Sequence, residues 1–458
     1  MARRVAVAPT LQTVRTATGE VVRLVRRIAV GGQGEVWLAE DGCRIAKILL
    51  PDVVRQLGVP VVRERLARLM ALPLDGLDVC RPTGLLAEPD FGYVADFLAN
   101  HQPISALMAP LPDSSPMSWW HETGGLRRRV RLLANIADTL RVLHTRGLVY
   151  GDLSEANVLV HANATSEVAT LIDLDNVTHH GNSRHAIQTP WFGAPELVCG
   201  DAMPSMATDA WSFAVLVSWC LQLCHPFMGG AVEDDDDGQA AAFRGELPWV
   251  DDLDDRRNKR TTGLPPNMVL SKGLLGLIRR TFGEEGRNNP ASRPALYEWA
   301  DVLFGLGDHI IHCRVCGLSF NDGSLACSWC DNARPRHARV EFYRWLPGAT
   351  HAVAPLSGVG LSLDLTVGSL THVTRRLTEG ARGERMFDGV VRFRPGRNGL
   401  EVSAAPGSGV DVHLRRSGTR LTKLLSTKYV RFDPEVHRLH FGPLDTPHRM
   451  AMIRIVAG

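Results

Sequence analysis

The chain has 458 residues, of which 45% are hydrophobic and 22% charged, and its formal net charge is +2. At roughly 150 residues per domain, this length predicts about three folded domains. The longest apolar run, residues 211–224, is too short to cross a bilayer and predicts a buried helix. The basic N-terminus has no apolar segment long enough for a signal peptide, so we expect a cytoplasmic protein.

A glycine-rich turn stands early in the chain, inside residues 21–50, which have the alternation of three antiparallel strands. Glycines let backbone N–H groups approach phosphate oxygens, although similar turns join many hairpins that bind nothing. Lys47, on the third predicted strand, is the only lysine among the first 258 residues. Such a lysine can hold nucleotide phosphates as a point charge. The candidate nucleotide-binding residues of this segment are Ala29, Gly31, Gly32, Gly34, Val36, Ala46 and Lys47.

The next predicted element is a helix over residues 61–72, because its apolar residues have helical spacing. Glu64 lies on this helix, 17 residues after Lys47, and could form an ion pair with that lysine. The alternative is an exposed helix glutamate that takes no part in a site.

Three polar residues then follow short apolar runs. Asp152 and Asn157 lie five positions apart in LVYGDLSEANVLV, and Asp173 ends a β-like run in TLIDLDN. Asn157 and Asp173 offer the oxygen ligands that Mg²⁺ prefers, and Asp152 could accept or orient the proton of a hydroxyl group. We therefore expect Lys47, Asp152, Asn157 and Asp173 to be catalytic residues.

These motifs, together with the later segments TPWFGAPEL and TDAWSFAVLV, resemble in their order a eukaryotic-like serine/threonine protein kinase domain of bacterial type. The resemblance covers residues 22–304 and implies an N-lobe over about 22–95 and a C-lobe over about 99–304. It also implies ATP in the cleft, with the backbones of Asp96 and Leu98 meeting adenine.

The chain departs from the kinase pattern at four positions. Gly151 stands where an arginine usually receives an activation-loop phosphate, so we expect Thr178, Ser183 and Thr189 to exert weak control. Tyr150 replaces a mainly architectural histidine, and Ser154 replaces a lysine that touches the transferred phosphate. Asp175 replaces a glycine, and a second carboxylate there would either assist a metal or stiffen the loop.

The segments LIDLDN and HPFMGG resemble a kinase subgroup that accompanies von Willebrand factor A proteins and metal-dependent protein phosphatases. The resemblance implies partners of these two kinds, in addition to a protein substrate. No membrane partner is expected, and nucleic acid is a less favoured partner.

A cysteine module follows within the predicted segment 305–335. Its four cysteines have the spacing Cys-x2-Cys-x10-Cys-x2-Cys, which is typical of a structural Zn²⁺ site with four thiolate ligands. Disulfides are the alternative, and a reducing compartment disfavours them. The module resembles a zinc ribbon, and its predicted ligands are Cys313, Cys316, Cys327 and Cys330.

Residues 336–458 consist of short alternating runs separated by Gly and Pro, which predicts an all-β domain. This segment has 19 Lys and Arg against 10 Asp and Glu, which favours anionic partners. Its last runs resemble a forkhead-associated-like β-sandwich. The predicted fold class is therefore α+β, in which an N-terminal extension (1–21) and a two-lobed kinase-like domain precede a zinc ribbon and a C-terminal regulatory or recruitment β-domain.

The function predicted from these features is an ATP- and Mg²⁺-dependent serine/threonine protein kinase in bacterial signalling or stress response. Ser154 and Asp175 leave open a nucleotide-binding pseudokinase that scaffolds partners through the zinc and β modules. A kinase of small molecules is a third hypothesis, although a metabolite requires no docking domain.

Overall fold

The computed structural model describes residues 12–110, 112–182, 189–233, 235–348, 354–366, 368–381, 384–415, 422–431 and 437–456. The chain forms two compact units. The first contains Met1–Ala106 and Thr139–Leu216, and the second contains Leu107–Asp138 and Val217–Gly458.

The N-terminal part of the chain is mainly a sheet with two helices. Its strands are β1 (Gln12–Arg15), β2 (Val21–Val30), β3 (Gly34–Ala39), β4 (Arg44–Leu49), β5 (Pro82–Leu85), β6 (Gly92–Asp96) and β7 (His101–Pro103). Its helices are α1 (Pro51–Leu57) and α2 (Val59–Met70).

Helices dominate the middle of the chain. They are α3 (Pro116–Glu122), α4 (Gly125–Thr145), α5 (Pro195–Val198), α6 (Met206–Gln222), α7 (Asp236–Phe243), α8 (Pro266–Val269), α9 (Lys272–Phe282), α10 (Glu284–Asn288) and α11 (Leu296–Asp308). Short strands lie between the fourth and fifth helices: β8 (Leu148–Val149), β9 (Val158–His161), β10 (Ala169–Leu171) and β11 (Thr178–His179). The predicted buried helix is confirmed, because α6 contains most of the run 211–224 and residues 210–218 are buried.

The C-terminal part is built from strands, apart from one short helix, α12 (Arg375–Thr378). The strands are β12 (Ile310–His312), β13 (Ser319–Asn321), β14 (His337–Trp345), β15 (Ala354–Asp364), β16 (Thr371–Thr374), β17 (Gly389–Pro395), β18 (Gly399–Ala404), β19 (His413–Arg415), β20 (Thr422–Lys423), β21 (Lys428–Arg431), β22 (His437–His440) and β23 (His448–Val456).

The N-terminal sheet has the antiparallel order β1-β2-β3-β4-β6-β5. Alternation explains its core, since Val22 and Leu24 are buried whereas Val21 and Val25 are exposed. Within the predicted N-terminal extension 1–21, β1 pairs with β2 and joins this sheet. A four-residue strand that buries one valine shows too little alternation to be recognised.

The C-terminal strands form two sheets around one core, which confirms the predicted all-β character. The larger sheet has the order β15-β14-β23-β22-β19-β20 and the smaller β16-β17-β18-β21. Phe342 and Leu439 of the larger sheet and Phe393 and Leu400 of the smaller one belong to the same buried cluster. The two sheets thus pack face to face as a sandwich.

The cysteine segment lies in the second unit and contacts elements on both sides of it in sequence. Ser319 on β13 accepts hydrogen bonds through Oγ from the backbone N–H groups of Leu126 and Arg127, at 3.1 and 3.3 Å. The buried Asp322 carboxylate accepts a bond of 2.7 Å from Arg339 on β14. This segment, the start of α4 and the sandwich therefore belong to one compact unit.

Candidate active site

Lys47 is the centre of a buried charge cluster in the first unit. It is 7% exposed, and its Nζ lies 2.5 Å from Asp173 Oδ1 and 2.8 Å from Asp175 Oδ2. Burial acts to lower the pKa of Lys47, but the negative charges of Asp175 and Asp173 outweigh it and raise the pKa above its ordinary value. The lysine is thus a fixed cation beside two carboxylates.

Glu64 does not pair with Lys47, contrary to the sequence-based expectation. Its side chain is 59% exposed, and its closest cationic contact is Arg68 at 4.0 Å on the same helix. Helix α2 instead presents Arg65 to the turn that follows Asp173, where Nε donates to the Asp175 carbonyl at 3.2 Å. The carboxylates that contact Lys47 are those of Asp173 and Asp175.

Asp152 is held by side chains from two later segments. Its carboxylate accepts a hydrogen bond from Thr189 Oγ1 at 2.8 Å and one from Asn176 Nδ2 at 3.3 Å. Burial is the largest effect on Asp152 and raises its pKa above the ordinary value, although the Thr189 bond opposes this. Asn157 Nδ2 donates to the Asp152 carbonyl at 2.9 Å and so fixes the loop between them.

The loop backbone is anchored by Asp209 at the start of α6. The Asp209 carboxylate accepts from the N–H groups of Tyr150 and Gly151 at 2.8 and 2.9 Å, and it lies 2.9 Å from His144 Nε2. Gly151 has φ +83°, a left-handed conformation that side chains disfavour. The motif TDAWSFAVLV contains Asp209, but the sequence alone did not reveal that it anchors this loop.

Asn157 directly precedes β9, and Asp173 follows the end of β10, the strand that pairs with it. The Ile172 N–H donates to the Asn157 carbonyl at 3.0 Å, and Asp173 follows Ile172 directly. Asp173 has φ +53°, and the tight turn Leu174–Asn176 comes next. The amide and carboxylate oxygens of these two residues are the donor type that Mg²⁺ prefers, so the donor set fits this ion.

The glycine turn joins β2 and β3 as predicted. Ala29 pairs with Val36, and the Gly31 N–H donates to the Gly34 carbonyl at 2.9 Å. A Cβ on Gly34 would lie 2.6 Å from the Ile48 carbonyl oxygen, so close strand packing by itself requires glycine there. Gly31 and its neighbour Gly32 are exposed.

The predicted adenine-contacting segment lies at the end of β6. Ala46 is fully buried on β4, while Asp96 is exposed and Leu98 is partly buried. Between the last two, the Phe97 N–H donates to the Cys43 carbonyl at 2.7 Å. The backbone of this segment is therefore tied to the strand that carries Lys47.

The four cysteines of the second unit form a cluster. Their Sγ atoms all lie within 4.8 Å of one another, with Cys313 to Cys330 at 3.6 Å and Cys316 to Cys327 at 3.7 Å. The two sulfur atoms of a disulfide lie about 2.05 Å apart, so neither of these two pairs forms a disulfide. Tetrahedral zinc–sulfur bonds of about 2.3 Å would separate the sulfurs by about 3.8 Å, so the cluster fits Zn²⁺.

Within the described ranges, no helix combines the length and apolar character that crossing a membrane requires.

Comparison with known proteins points to one family. Residues 118–295 match the family model described as "Protein kinase domain". This match is less than half of the chain and begins after the strands that carry Lys47 and the glycine turn.

Three of the curated relatives are bacterial serine/threonine-protein kinases. The chain is 26% identical over 301 residues to pkn2 of Myxococcus xanthus, covering 61% of this chain and 32% of the relative. It is 26% identical over 352 residues to PknD of Mycobacterium tuberculosis, covering 72% and 48%. It is 28% identical over 224 residues to PknA of the same species, covering 45% and 48%.

The chain thus spans about a third to a half of the length of these relatives. The resemblance to a kinase is confirmed at this coarser level. The chain contains a region that matches the protein kinase domain, and at the family level it is similar to bacterial serine/threonine-protein kinases.

Proposed function

We propose that the chain is an ATP- and Mg²⁺-dependent serine/threonine protein kinase that transfers the γ-phosphate of ATP to a protein hydroxyl. The observation that carries this proposal is the cluster in which Lys47 contacts Asp173, beside the loop that holds Asp152 and Asn157. The kinase match and the similarity to bacterial kinases support the same activity and a role in bacterial signalling or stress response.

Each residue has a role that its chemistry allows. Lys47 binds the α- and β-phosphates, and the glycine turn covers them. Asp152 orients the acceptor hydroxyl and takes its proton, since its carboxylate already accepts hydrogen bonds from hydroxyl and amide donors. Asn157 and Asp173 would hold Mg²⁺, which neutralises charge on the phosphates. The backbones of Asp96 and Leu98 would contact adenine.

The test is phosphotransfer from labelled ATP by the full chain in the presence of Mg²⁺. We expect label on protein with the natural sequence, loss of label with Asp152→Asn, and no change with the exposed control Asp201→Asn. Equal labelling by the Asp152 variant and the natural chain would contradict the proposal.

One observation favours a nucleotide-binding pseudokinase as the second candidate. Ser154, which stands where kinases of this type have a lysine, is fully buried, and its Oγ has no hydrogen-bond partner among the described residues. It cannot replace an ammonium group that reaches a transferred phosphate. Binding of Mg·ATP without transfer to any protein would support this scaffold function.

We also propose that the cysteine cluster binds Zn²⁺ as a structural site, since four thiolates leave no open coordination position. The two face-to-face sheets support a forkhead-associated-like sandwich that recruits other molecules.

A von Willebrand factor A protein and a metal-dependent phosphatase are the proposed partners, and the cytoplasm is the proposed compartment. Co-purification from the native bacterium tests these partners.

A further inference from the structure

A buried lysine requires a counter-ion that stays in place. Lys47 lies on β4 opposite Tyr93 on β6, and both are nearly inaccessible to solvent. An unpaired ammonium group in such surroundings is strongly unfavourable, so its partner decides where the Nζ atom points. Because Asp173 is also the proposed Mg²⁺ ligand, a second partner is needed to hold the lysine once that carboxylate is engaged.

Two carboxylates could be this second partner. Glu64 is largely solvent-exposed and lies beside Arg68, one helical turn away. An exposed ion pair of this kind contributes little free energy. The Asp175 side chain is only 5% exposed, and its Oδ2 lies 2.8 Å from Lys47 Nζ. Of the two, Asp175 is the one in contact with the lysine.

The position of Asp175 is fixed by its surroundings. It lies in the tight turn Leu174–Asn176, whose first residue is 1% exposed. Its carbonyl accepts from Arg65 on α2, and Asn176 Oδ1 accepts from the same guanidinium at 3.1 Å. Burial, followed by the charges of Asp175 and Asp173, raises the pKa of Tyr93 well above its ordinary value, so a neutral phenol adjoins the pair.

We propose that Asp175 is the positioning residue for Lys47 and takes the place of Glu64. This inference rests on the proposed phosphate-binding role of Lys47. The positioning role differs from the two that the sequence leaves open for Asp175, a metal ligand or a stiffener of the loop, because its carboxylate is directed at the lysine. Asp173 directly precedes the turn that contains Asp175, so both carboxylates reach the lysine from one short segment.

The test compares isosteric variants of the full chain. Asp175→Asn should lower phosphotransfer roughly 100-fold, the size of effect expected when a binding group is misplaced by about 1 Å. Glu64→Gln should have an effect of about twofold or less, because it removes only an exposed pair. Asp175→Glu, which restores the charge, should recover part of the rate. Thermal unfolding of each variant shows whether it is folded.

Equilibrium binding of Mg·ATP by calorimetry gives a readout that is independent of transfer. In the natural background, Asp175→Asn should weaken the affinity for Mg·ATP about tenfold, as expected for the loss of a close charge pair. In a Lys47→Ala background the same change should alter it by less than about twofold, because the group through which Asp175 acts is absent.

Two results would overturn the proposal. Equal effects of Asp175→Asn in both backgrounds would mean that Asp175 acts on the metal and not on Lys47. A loss with Glu64→Gln as large as that with Asp175→Asn would mean that the α2 glutamate positions the lysine. If the natural chain binds ATP but transfers no phosphate, the proposed function fails, whereas the binding comparison still decides the role of Asp175.

Discussion

Single side chains in the first unit are placed by partners far away in sequence. Lys47 contacts Asp173 across 126 positions, and Asp209 holds the Tyr150 N–H across 59. Both contacts combine a buried charge with hydrogen-bond donors, an arrangement that is costly to break from one side. Function at this scale should therefore be sensitive to the loss of either partner.

Lys47→Ala and Asp173→Ala are each expected to abolish phosphotransfer. The first removes the buried cation, and the second removes both its partner and a proposed Mg²⁺ ligand. Labelled ATP provides the measurement, and Lys272→Ala, at an exposed position on α9, is the matched control. Label incorporation that is unchanged in either variant would remove the kinase hypothesis.

His440 should make the second unit less stable in acid. Burial, followed by the charges of His448, Arg415, Arg438 and His413, lowers the pKa of His440 from 6.5 to about 4. The unfolded chain therefore binds more protons between these two values, and the free energy of unfolding falls as pH drops through that window. The loss is at most roughly 3 kcal/mol for this single group.

The measurement is thermal unfolding at pH 7.5 and at pH 5. His440→Gln should reduce the difference between the two midpoints, and the exposed control His180→Gln should leave it unchanged. An equal pH dependence in the His440 variant and the natural chain would be inconsistent with this assignment.

At the scale of elements, the segment between Asp173 and Glu196 contacts the candidate site through its side chains. Asn176 and Thr189 both donate to the Asp152 carboxylate, whereas Ser183 lies outside the described residues. The Gly151 backbone faces the same segment, since a Cβ there would lie 3.2 Å from the Asn176 carbonyl oxygen. The segment thus positions Asp152 directly.

Control by phosphorylation of this segment is expected to be weak, because Gly151 offers no cation for a phosphate. Phosphatase treatment and alanine at Thr178 or Ser183 should each change the rate by about twofold or less. Thr189→Ala should lower the rate through loss of the Asp152 bond, and Thr189→Ser should restore it. Silencing by phosphatase, together with equal losses at all three hydroxyls, would show that the reasoning from Gly151 is wrong.

At the scale of the whole molecule, the two compact units have different contents. The first holds the candidate nucleotide-binding residues and has a buried core of its own that includes Val22, Leu24 and Val94. The second holds the cysteine cluster and the sandwich. Inside it, Asp308 on α11 forms ion pairs with Arg131 on α4 and Arg376 on α12. The sandwich is therefore bound to helices of its own unit by buried charges.

Removal of zinc should affect the second unit and spare nucleotide binding. The buried cluster of segment 313–330 is small and includes Cys313 and Cys327 themselves, so a metal that joins these thiolates should supply a large share of the folding energy of the segment, on the order of 10 kcal/mol. Chelation or Cys327→Ser should disorder this segment and loosen the sandwich, because Ser319 and Asp322 would lose their contacts. ATP binding should persist.

Metal analysis and limited proteolysis measure these effects, and the exposed Cys199→Ser is the control. Purified protein without zinc, or with a zinc content unaffected by Cys327→Ser, would refute the metal site. Loss of ATP binding on chelation would mean that the cysteine segment supports the nucleotide site.

The features that the sequence alone determined are local ones. Alternation predicted β2, β3 and β4, and the spacing of Cys313, Cys316, Cys327 and Cys330 predicted the thiolate cluster, because neighbouring positions on a strand or knuckle are tied by short stretches of chain. The motifs around Asp152 and Asp173 likewise identified a candidate site that the structure places in one unit.

Only the tertiary structure decided which groups meet. Sequence spacing favoured Glu64 as the partner of Lys47, but the fold directs that side chain to solvent and brings Asp175 to the lysine instead. The same holds for Gly151, whose left-handed backbone and Asp209 anchor follow from packing. The physical reason is that a contact between distant residues depends on how elements pack, and local pattern carries no information about that packing.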